Sequence, residues 1–575
     1  MENTLQKYSK KSVKQPHVRF IALGGEETVT RNMYLYEYED QILIVDCGLG
    51  FPDATMLGVD LMLPDISYLL ELLEKTNKKI VGMVLTHGHE DHIGGLPFIL
   101  PQLMPKDVKE RSFSLYASPL TAALINEKLK EYHVSASVKT VPFTKPTVRL
   151  GDFIITFVRV THSVPDSANI IIETPIGNFF HGSDFKFDLT PADGKRTEFH
   201  KITDAAKNGF VALMSDCLGS DRDGFSISEE SLEYQFERQM REAEGKCIIT
   251  TYSSNINRMN QIVKAAERTG RKVCFVGRSM IKIKDIAQRM GYLHIPSGLE
   301  CSLPEAKKQK SKHIVMLVAG SQGQQNSALT RIANGEHRDI NLQSPDTVIF
   351  SAETIPGNEL AVNALIDSLA KRGVTLVFAH GPEGLFHVSG HGSRSDHQLL
   401  IALTQPRFLV PISGTYQHML LYKRNAQKMG YNKKQIQLVG NGREILFTNK
   451  TINLGKQVPI RPIYVDEISG EEVESYVIRD REKLAKEGIV IIMAEVKADT
   501  GELFSEPEIL VRGITIDVST IQEHIVKDIN AELSSKKEPV VNWFRVRKII
   551  GETTERILFK KFRTRPLLLP IVIEM

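Results

Sequence analysis

Apolar residues fall into two textures along the chain. From residue 18 to about 227 they come in short runs or alternate with polar residues: VRFIALGG, MYLYEYEDQILIVDCG, KKIVGMVLTHG, DFIITFVRVTH and ANIIIETPIGNFFHGSD. Runs of this kind, broken by Gly, Asp and Asn, predict strands. The last is expected to be a hairpin turning at Pro175-Ile176-Gly177. Helical stretches such as ISYLLELLEKTNK and GGLPFILPQL intervene, so this half reads as packed sheets with outer helices. Near residue 228 buried runs begin to alternate with helical periods: GKCIITTYSS, a helix from Asn255 to about Thr269, RKVCFVG, a helix across SMIKIKDIAQRMG, KHIVMLVAGSQGQQ, DTVIFSAETIPG and the helix ELAVNALIDSLAKRG. That alternation predicts a parallel α/β sheet. The His- and Gly-rich stretch GPEGLFHVSGHGSRSDHQ then restores the first texture, which points to one domain inserted into another.

The expected divisions are a disordered basic start (1–17), a first domain in two parts (18–227 and 376–452), an inserted domain (228–375), a linker (453–469) and a small C-terminal α/β domain (470–575). The last contains EGIVIIMAEV, EILVRGITI, a helix near TIQEHIVKDINAELSSK and a final strand PLLLPIVIEM. At about 150 residues per domain, 575 residues allow three or four. A hydrophobic share of 42% supports sizeable cores, and a net charge of +3 neither demands nor excludes a nucleic-acid partner. Five scattered cysteines with no CxxC pair argue for reduced thiols and against a disulfide framework or a Cys-zinc site. The polar N-terminus lacks a signal-peptide core, and no apolar run reaches the ~18 residues of a membrane span. A cytoplasmic protein with no membrane partner is expected.

The chemistry concentrates in MVLTHGHEDHIGG, residues 83–95. A strand delivers His87, His89, Glu90, Asp91 and His92 into one loop, and Gly88 lets the backbone turn. Imidazole and carboxylate together suit zinc or manganese. Asp91 and His92 are adjacent and leave the backbone in different directions, so one loop can serve two neighbouring ions. Further candidates end other strands: Asp46 after ILIV, His162 after FVRVT and Asp184 in HGSDFKFD. Ser253, Ser254 and Asn255 follow CIITTY and precede a helix, where free N–H groups can seat a phosphate.

The order Asp, His-x-His-x-Asp-His, His, Asp resembles the metallo-β-lactamase superfamily, which implies a four-layer αββα sandwich. FIALGG, DCGLGFPDATMLGVDLMLPD, HSVPDS, DFKFD, IPGNE, FHVSGHGS, LVPISG and TRPLLLP follow in the order of bacterial ribonuclease J. That family inserts an α/β β-CASP domain into the sandwich and adds a C-terminal α/β domain; the resemblance runs from about residue 18 to 575. It implies that His87, His89 and His162 hold one metal, that Asp91 and His92 hold a second, and that Asp184 bridges. It implies proton transfer by Asp216 and His391. It implies substrate binding by Ser253, Ser254, Asn255 and the HVSGH signature, His387, Val388, Ser389, Gly390 and His391. Gly58, Asp60 and Asp466 resemble an accessory site for a structural calcium or magnesium ion.

By the same resemblance the chain is expected to hydrolyse single-stranded RNA with two zinc or manganese ions. It would run 5′ to 3′ from a 5′-monophosphate, with endonucleolytic cuts too, in mRNA decay and rRNA maturation. A homodimer or homotetramer, or a hetero-oligomer with a paralogue, would carry the activity. One family ligand is missing: Ser413, in LVPISGTYQH, stands where a histidine completes the second metal site, and Thr415 replaces a glutamate. The second ion is therefore expected to bind weakly. The competing reading is a weakened paralogue that binds RNA and supports an active partner subunit.

Overall fold

The structure, a computed structural model, describes residues 16–575 apart from 53–55, 109–110, 356, 467–469, 516–518 and 535–541. Most of the expected disordered start lies outside the described residues, as do parts of the DCGLGFPDATMLGVDLMLPD and IPGNE motifs and of the expected linker. The chain divides into two compact units, one of residues 1–51 and 62–463 and one of residues 52–61 and 464–575.

The first unit holds two large sheets face to face. One has eight strands in the order Ile452–Gln457, Arg443–Phe447, Val18–Gly24, Met33–Tyr38, Gln41–Val45, Lys79–Leu85, Ser114–Ala117 and Ser137–Thr140. The other has six, in the order Phe408–Ile412, Phe210–Asp216, Gly177–Gly182, Ala168–Thr174, Phe153–Arg159 and Thr147–Leu150. Period-2 alternation sends Phe20, Tyr34, Tyr36, Phe157, Ile170, Phe179 and Met214 inward, where they form one buried core between the sheets. The opposite faces are covered by helices. Leu96, Ile99, Leu100 and Leu103 pack on the first sheet, and Leu400, Met419 and Tyr422 pack on the second. The result is the expected αββα sandwich.

Between Phe210–Asp216 and Phe408–Ile412, neighbouring parallel strands of the six-stranded sheet, the chain leaves to build a separate five-stranded sheet. Its order is Lys272–Val276, Ile314–Val318, Cys247–Thr250, Thr347–Phe350 and Thr375–Val377, and every pairing is parallel. Its helix Ile256–Thr269 shows how sequence writes the element. Asn255 accepts from the Arg258 N–H at the start, and Gly270 ends it in the left-handed region at φ 67°. Ile256, Met259, Ile262, Val263 and Ala266 form its buried stripe.

The second unit is a three-stranded sheet, Glu508–Arg512, Ile489–Val496 and Leu567–Glu574, with Ser475–Glu487, Ser519–Ser534 and Trp543–Phe562 as helices. The stretch 453–469 is not wholly a connector. Ile452–Gln457 is an edge strand paired antiparallel with Arg443–Phe447, although its own residues alternate too weakly to advertise it. Among the described residues no helix is long and apolar enough to cross a membrane.

Candidate active site

The strands Gln41–Val45 and Lys79–Leu85 run parallel, and their ends bring Asp46 beside the histidine loop. Asp46 adopts φ 62° and is fully buried. Its Oδ1 accepts from the Thr86 backbone N–H at 2.8 Å, and its Oδ2 lies 2.7 Å from His92 Nδ1. A carboxylate can only accept here, so His92 donates from Nδ1 and its Nε2 faces the site; burial opposes charge on this ring, but Asp184, Asp91 and Asp46 outweigh it and hold it well above the usual histidine range. His162 is set the same way, with its Nδ1 donating to the Gly390 carbonyl at 2.7 Å. Gly390 has to be glycine, since a Cβ there would stand 2.8 Å from the His162 ring.

His87 Nε2, His89 Nδ1, His162 Nε2 and a carboxylate oxygen of Asp184 converge. His89 Nδ1 is 3.1 Å from each of the other two nitrogens, and Asp184 Oδ2 is 3.6 Å from His87 Nε2 and 3.7 Å from His162 Nε2. Four ligands placed tetrahedrally at ~2.0–2.1 Å from zinc would stand ~3.3 Å apart, so this donor set has the size of one ion. Burial holds His87 and His162 well below the usual histidine range and His89 down at about 3, which keeps all three neutral and ready to ligate. Asp91 and His92 converge on the other side of Asp184. His92 Nε2 is 3.6 Å from Asp91 Oδ2 and 3.4 Å from Asp184 Oδ1, and that Oδ1 is buried without a hydrogen-bond partner. Asp184 thus presents one oxygen to each group.

Asp216 and His391 also meet. His391 Nδ1 is 2.7 Å from Asp216 Oδ2, and its Nε2 is 3.7 Å from Asp184 Oδ2. Burial opposes charge on this ring, but Asp216 and Asp184 outweigh it and raise its pKa to about 9. His387 is held differently. The fully buried Arg258 guanidinium donates to its Nδ1 at 2.9 Å and to the Ser351 carbonyl at 2.9 Å, and pairs with Glu229 at 2.7 Å. Guanidinium has no acceptor, so the proton of a neutral His387 sits on Nε2. Burial and the Arg258 charge keep that ring well below the usual range. Sequence alone does not single out Arg258. The signal is there in SSNINRMNQ: an arginine three residues past a cap, on an otherwise apolar helical face.

Elsewhere the residues are committed to other contacts. Asn255 is buried and its side chain caps the helix, while Ser253 Oγ contacts Ser279 Oγ at 3.0 Å. Val388 is buried, and Ser389 Oγ accepts from the His391 N–H at 3.1 Å. Ser413 is buried at φ 53°, its hydroxyl donating to Asn32 Oδ1 at 3.0 Å and lying 3.2 Å from the Tyr34 hydroxyl. His418 lies on the helix Tyr416–Lys428 and meets Thr415 Oγ1 at 2.8 Å, not the cluster. In the second unit, the Arg481 guanidinium donates to the Gly58 carbonyl at 2.6 Å, so a fixed cation already faces one of the three residues expected to hold an accessory ion. The Asp60 N–H donates to the Val465 carbonyl at 3.2 Å, next to Asp466.

Three family models match the chain. They are the metallo-beta-lactamase superfamily over residues 28–211, the ribonuclease J beta-CASP domain over 244–369 and the ribonuclease J C-terminal domain over 476–575. The chain is 35% identical over 573 residues to ribonuclease J of Synechocystis sp., spanning 97% of this chain and 87% of that one. It is 34% identical over 566 residues to ribonuclease J of Thermus thermophilus, spanning 97% and 96%. It is 31% identical over 564 residues to ribonuclease J2 of Bacillus subtilis, spanning 97% and 99%. A solved Enterococcus faecalis protein of unknown function shares the fold at a TM-score of 0.53 and 16% identity, over 75% of this chain and all of that one.

Proposed function

The chain belongs to the ribonuclease J family, and from that premise we infer that it is a metal-dependent nuclease that hydrolyses RNA, as a 5′-to-3′ exonuclease and an endonuclease. The observation that carries this reading is the four-donor group of His87, His89, His162 and Asp184 standing beside the Asp216–His391 pair. We propose zinc or manganese for it, a more weakly held second ion between Asp91, His92 and Asp184, and single-stranded RNA with a 5′-monophosphate as the substrate. Bound divalent ions neutralise charge on phosphoryl oxygens and make a coordinated water more acidic.

The protein residues do the rest. His387 donates a hydrogen bond from its Nε2–H to a phosphate oxygen. His391, oriented by Asp216, moves a proton at Nε2. Ser253, Ser254 and the backbone of 388–390 line the approach of the phosphate. RNA would lie between the sandwich (18–227 and 376–452) and the inserted β-CASP domain (228–375), since Arg258 from the latter sets a histidine of the former. A homodimer or homotetramer in the cytoplasm, serving mRNA decay and rRNA maturation, fits the family. The complete donor group favours hydrolysis over a paralogue that only binds RNA.

The test is purified protein with 3′-labelled, 5′-monophosphorylated single-stranded RNA in zinc, manganese and magnesium. Stepwise loss of 5′ nucleotides plus internal cuts is expected. Retention of intact RNA under every metal, with binding preserved, would favour the binding-only paralogue.

A further inference from the structure

The last helix of the chain, Trp543–Phe562, and the residues just after it carry charge out of proportion to their length. Residues 543–565 hold eight lysines and arginines against two acids, while the whole chain nets only +3. The helix has a covered side and an open side. Val546, Ile550 and Leu558 belong to the core of the second unit, with Ile525 and Ile529 of the helix Ser519–Ser534 and Ile492 of the strand Ile489–Val496. Phe544, Arg547, Lys548, Arg556 and Lys560 remain exposed. The acids cancel little of this charge. Lys548 meets Glu552 at 3.8 Å, Arg556 meets Glu532 at 3.6 Å and Arg565 meets Glu555 at 3.9 Å, all between solvent-exposed side chains, where such pairs are weak. Arg547, Lys560 and Arg563 form no ion pair among the described residues.

Aromatic rings stand among these cations. The Phe544 side chain, at the start of the helix, is 79% exposed. At the other end the guanidinium carbon of Arg565 lies 4.2 Å from the centre of the Phe559 ring, and that of Arg563 lies 5.5 Å from it. Arg563 ends the helix at φ 59°, in the left-handed region where glycine is usual. Arginine gives up the backbone ease of glycine there and gains a place over the ring. Cations that take phosphates, beside rings and guanidinium planes on which bases stack, are how proteins hold single-stranded RNA. A basic helix can also lie on an anionic membrane, but that mode needs an apolar face to enter the lipid. Here the apolar face is already covered by the unit's own core.

We propose that the open side of Trp543–Phe562, with Arg563 and Arg565, is a further contact surface for single-stranded RNA, built from none of the residues that do the chemistry. Phe544 and Phe559 offer faces to bases, and the lysines and arginines take phosphates. The inference rests on the reading of the chain as a protein that acts on RNA. It adds that the C-terminal unit holds RNA through charge and stacking, without reading its sequence.

The experiment measures binding of labelled oligouridylate to the full-length protein by fluorescence anisotropy over a range of salt, in a His89→Ala background that keeps the RNA intact. Arg547→Gln/Lys560→Gln/Arg563→Gln removes three cations. Each phosphate contact on a single strand adds ~0.7 to the slope of log affinity against log salt, so the slope should shrink by about 2. Phe544→Ala should weaken binding by ~5- to 150-fold, and Phe544→Tyr, which keeps the ring, should stay near wild type. With His89 restored, the same changes should raise KM for this RNA and leave kcat unchanged. An unchanged salt slope in the triple variant overturns the proposal, and unchanged affinity in Phe544→Ala removes the stacking part of it. If the variants lose binding to phosphatidylserine vesicles while RNA affinity stays put, the surface faces lipid and the proposal is wrong. If the wild type hydrolyses no RNA but the slope still shrinks, this surface stands and the nuclease reading falls.

Discussion

Arg258→Met isolates what the buried guanidinium does. The Arg258–Glu229 pair is 2.7 Å long with both side chains sealed from solvent, and the same guanidinium holds Ser351 and His387. Methionine fills much of the volume but strands the Glu229 carboxylate, and breaking a buried pair from one side costs ~3–5 kcal/mol. At 1.4 kcal/mol per decade, amide exchange in the helix Ile256–Thr269 should speed up by ~100- to 4,000-fold. Hydrogen exchange on the full-length protein reads this directly, and it avoids treating several domains as one transition. Glu229→Gln combined with Arg258→Met removes the stranded charge, so most of the protection should return. Cleavage should not return, because His387 still lacks the N–H donor that sets its tautomer; a loss of about tenfold or more is expected in both variants, as for other misdirected imidazoles. Exchange rates within threefold of wild type in the single variant, or recovery of both protection and cleavage in the double variant, would refute the argument.

Three further outcomes follow from the site. Asp91→Ala or His89→Ala should abolish RNA hydrolysis and leave the circular dichroism spectrum unchanged, since Asp91 sits in the four-residue helix Glu90–Ile93, His89 precedes it, and neither side chain belongs to a hydrophobic core. His391→Ala should cut turnover with zinc content intact, and zinc loss by elemental analysis would instead make His391 a ligand. Gly390→Ala should drive its methyl into the His162 ring, 2.8 Å from the ideal Cβ position, and lower zinc affinity by ~10-fold or more in a competition titration.

Much of this was legible in the residues. Strand ends carrying Asp46, His87, His162, Asp184 and Asp216 are visible because buried strands are short apolar runs and the acid or imidazole breaks each run. The insertion was legible from a change of period and the return of a His-Gly loop at 387–391. What the sequence hid depends on distant partners. Ile452–Gln457 becomes a strand because Arg443–Phe447 offers an edge, not through its own alternation. The 20-residue helix Trp543–Phe562 buries only a narrow stripe, Val546, Ile550, Thr553, Thr554 and Leu558, within a basic, polar segment, so its period is faint. Arg258 looks like a surface charge until the fold closes over it. Ser413 reads as a missing ligand, but only the structure shows Asn32 and Tyr34 packed against its hydroxyl.

We propose that ions held by His87, His89, His162 and Asp184 support RNA hydrolysis. The most direct test is single-turnover cleavage of 5′-monophosphorylated RNA by chelator-stripped protein as zinc or manganese is titrated back. The rate should start at zero and rise as metal is restored, and it should stay at zero in His89→Ala. Cleavage that persists at the wild-type rate in chelator would show that the reaction needs no metal at this group.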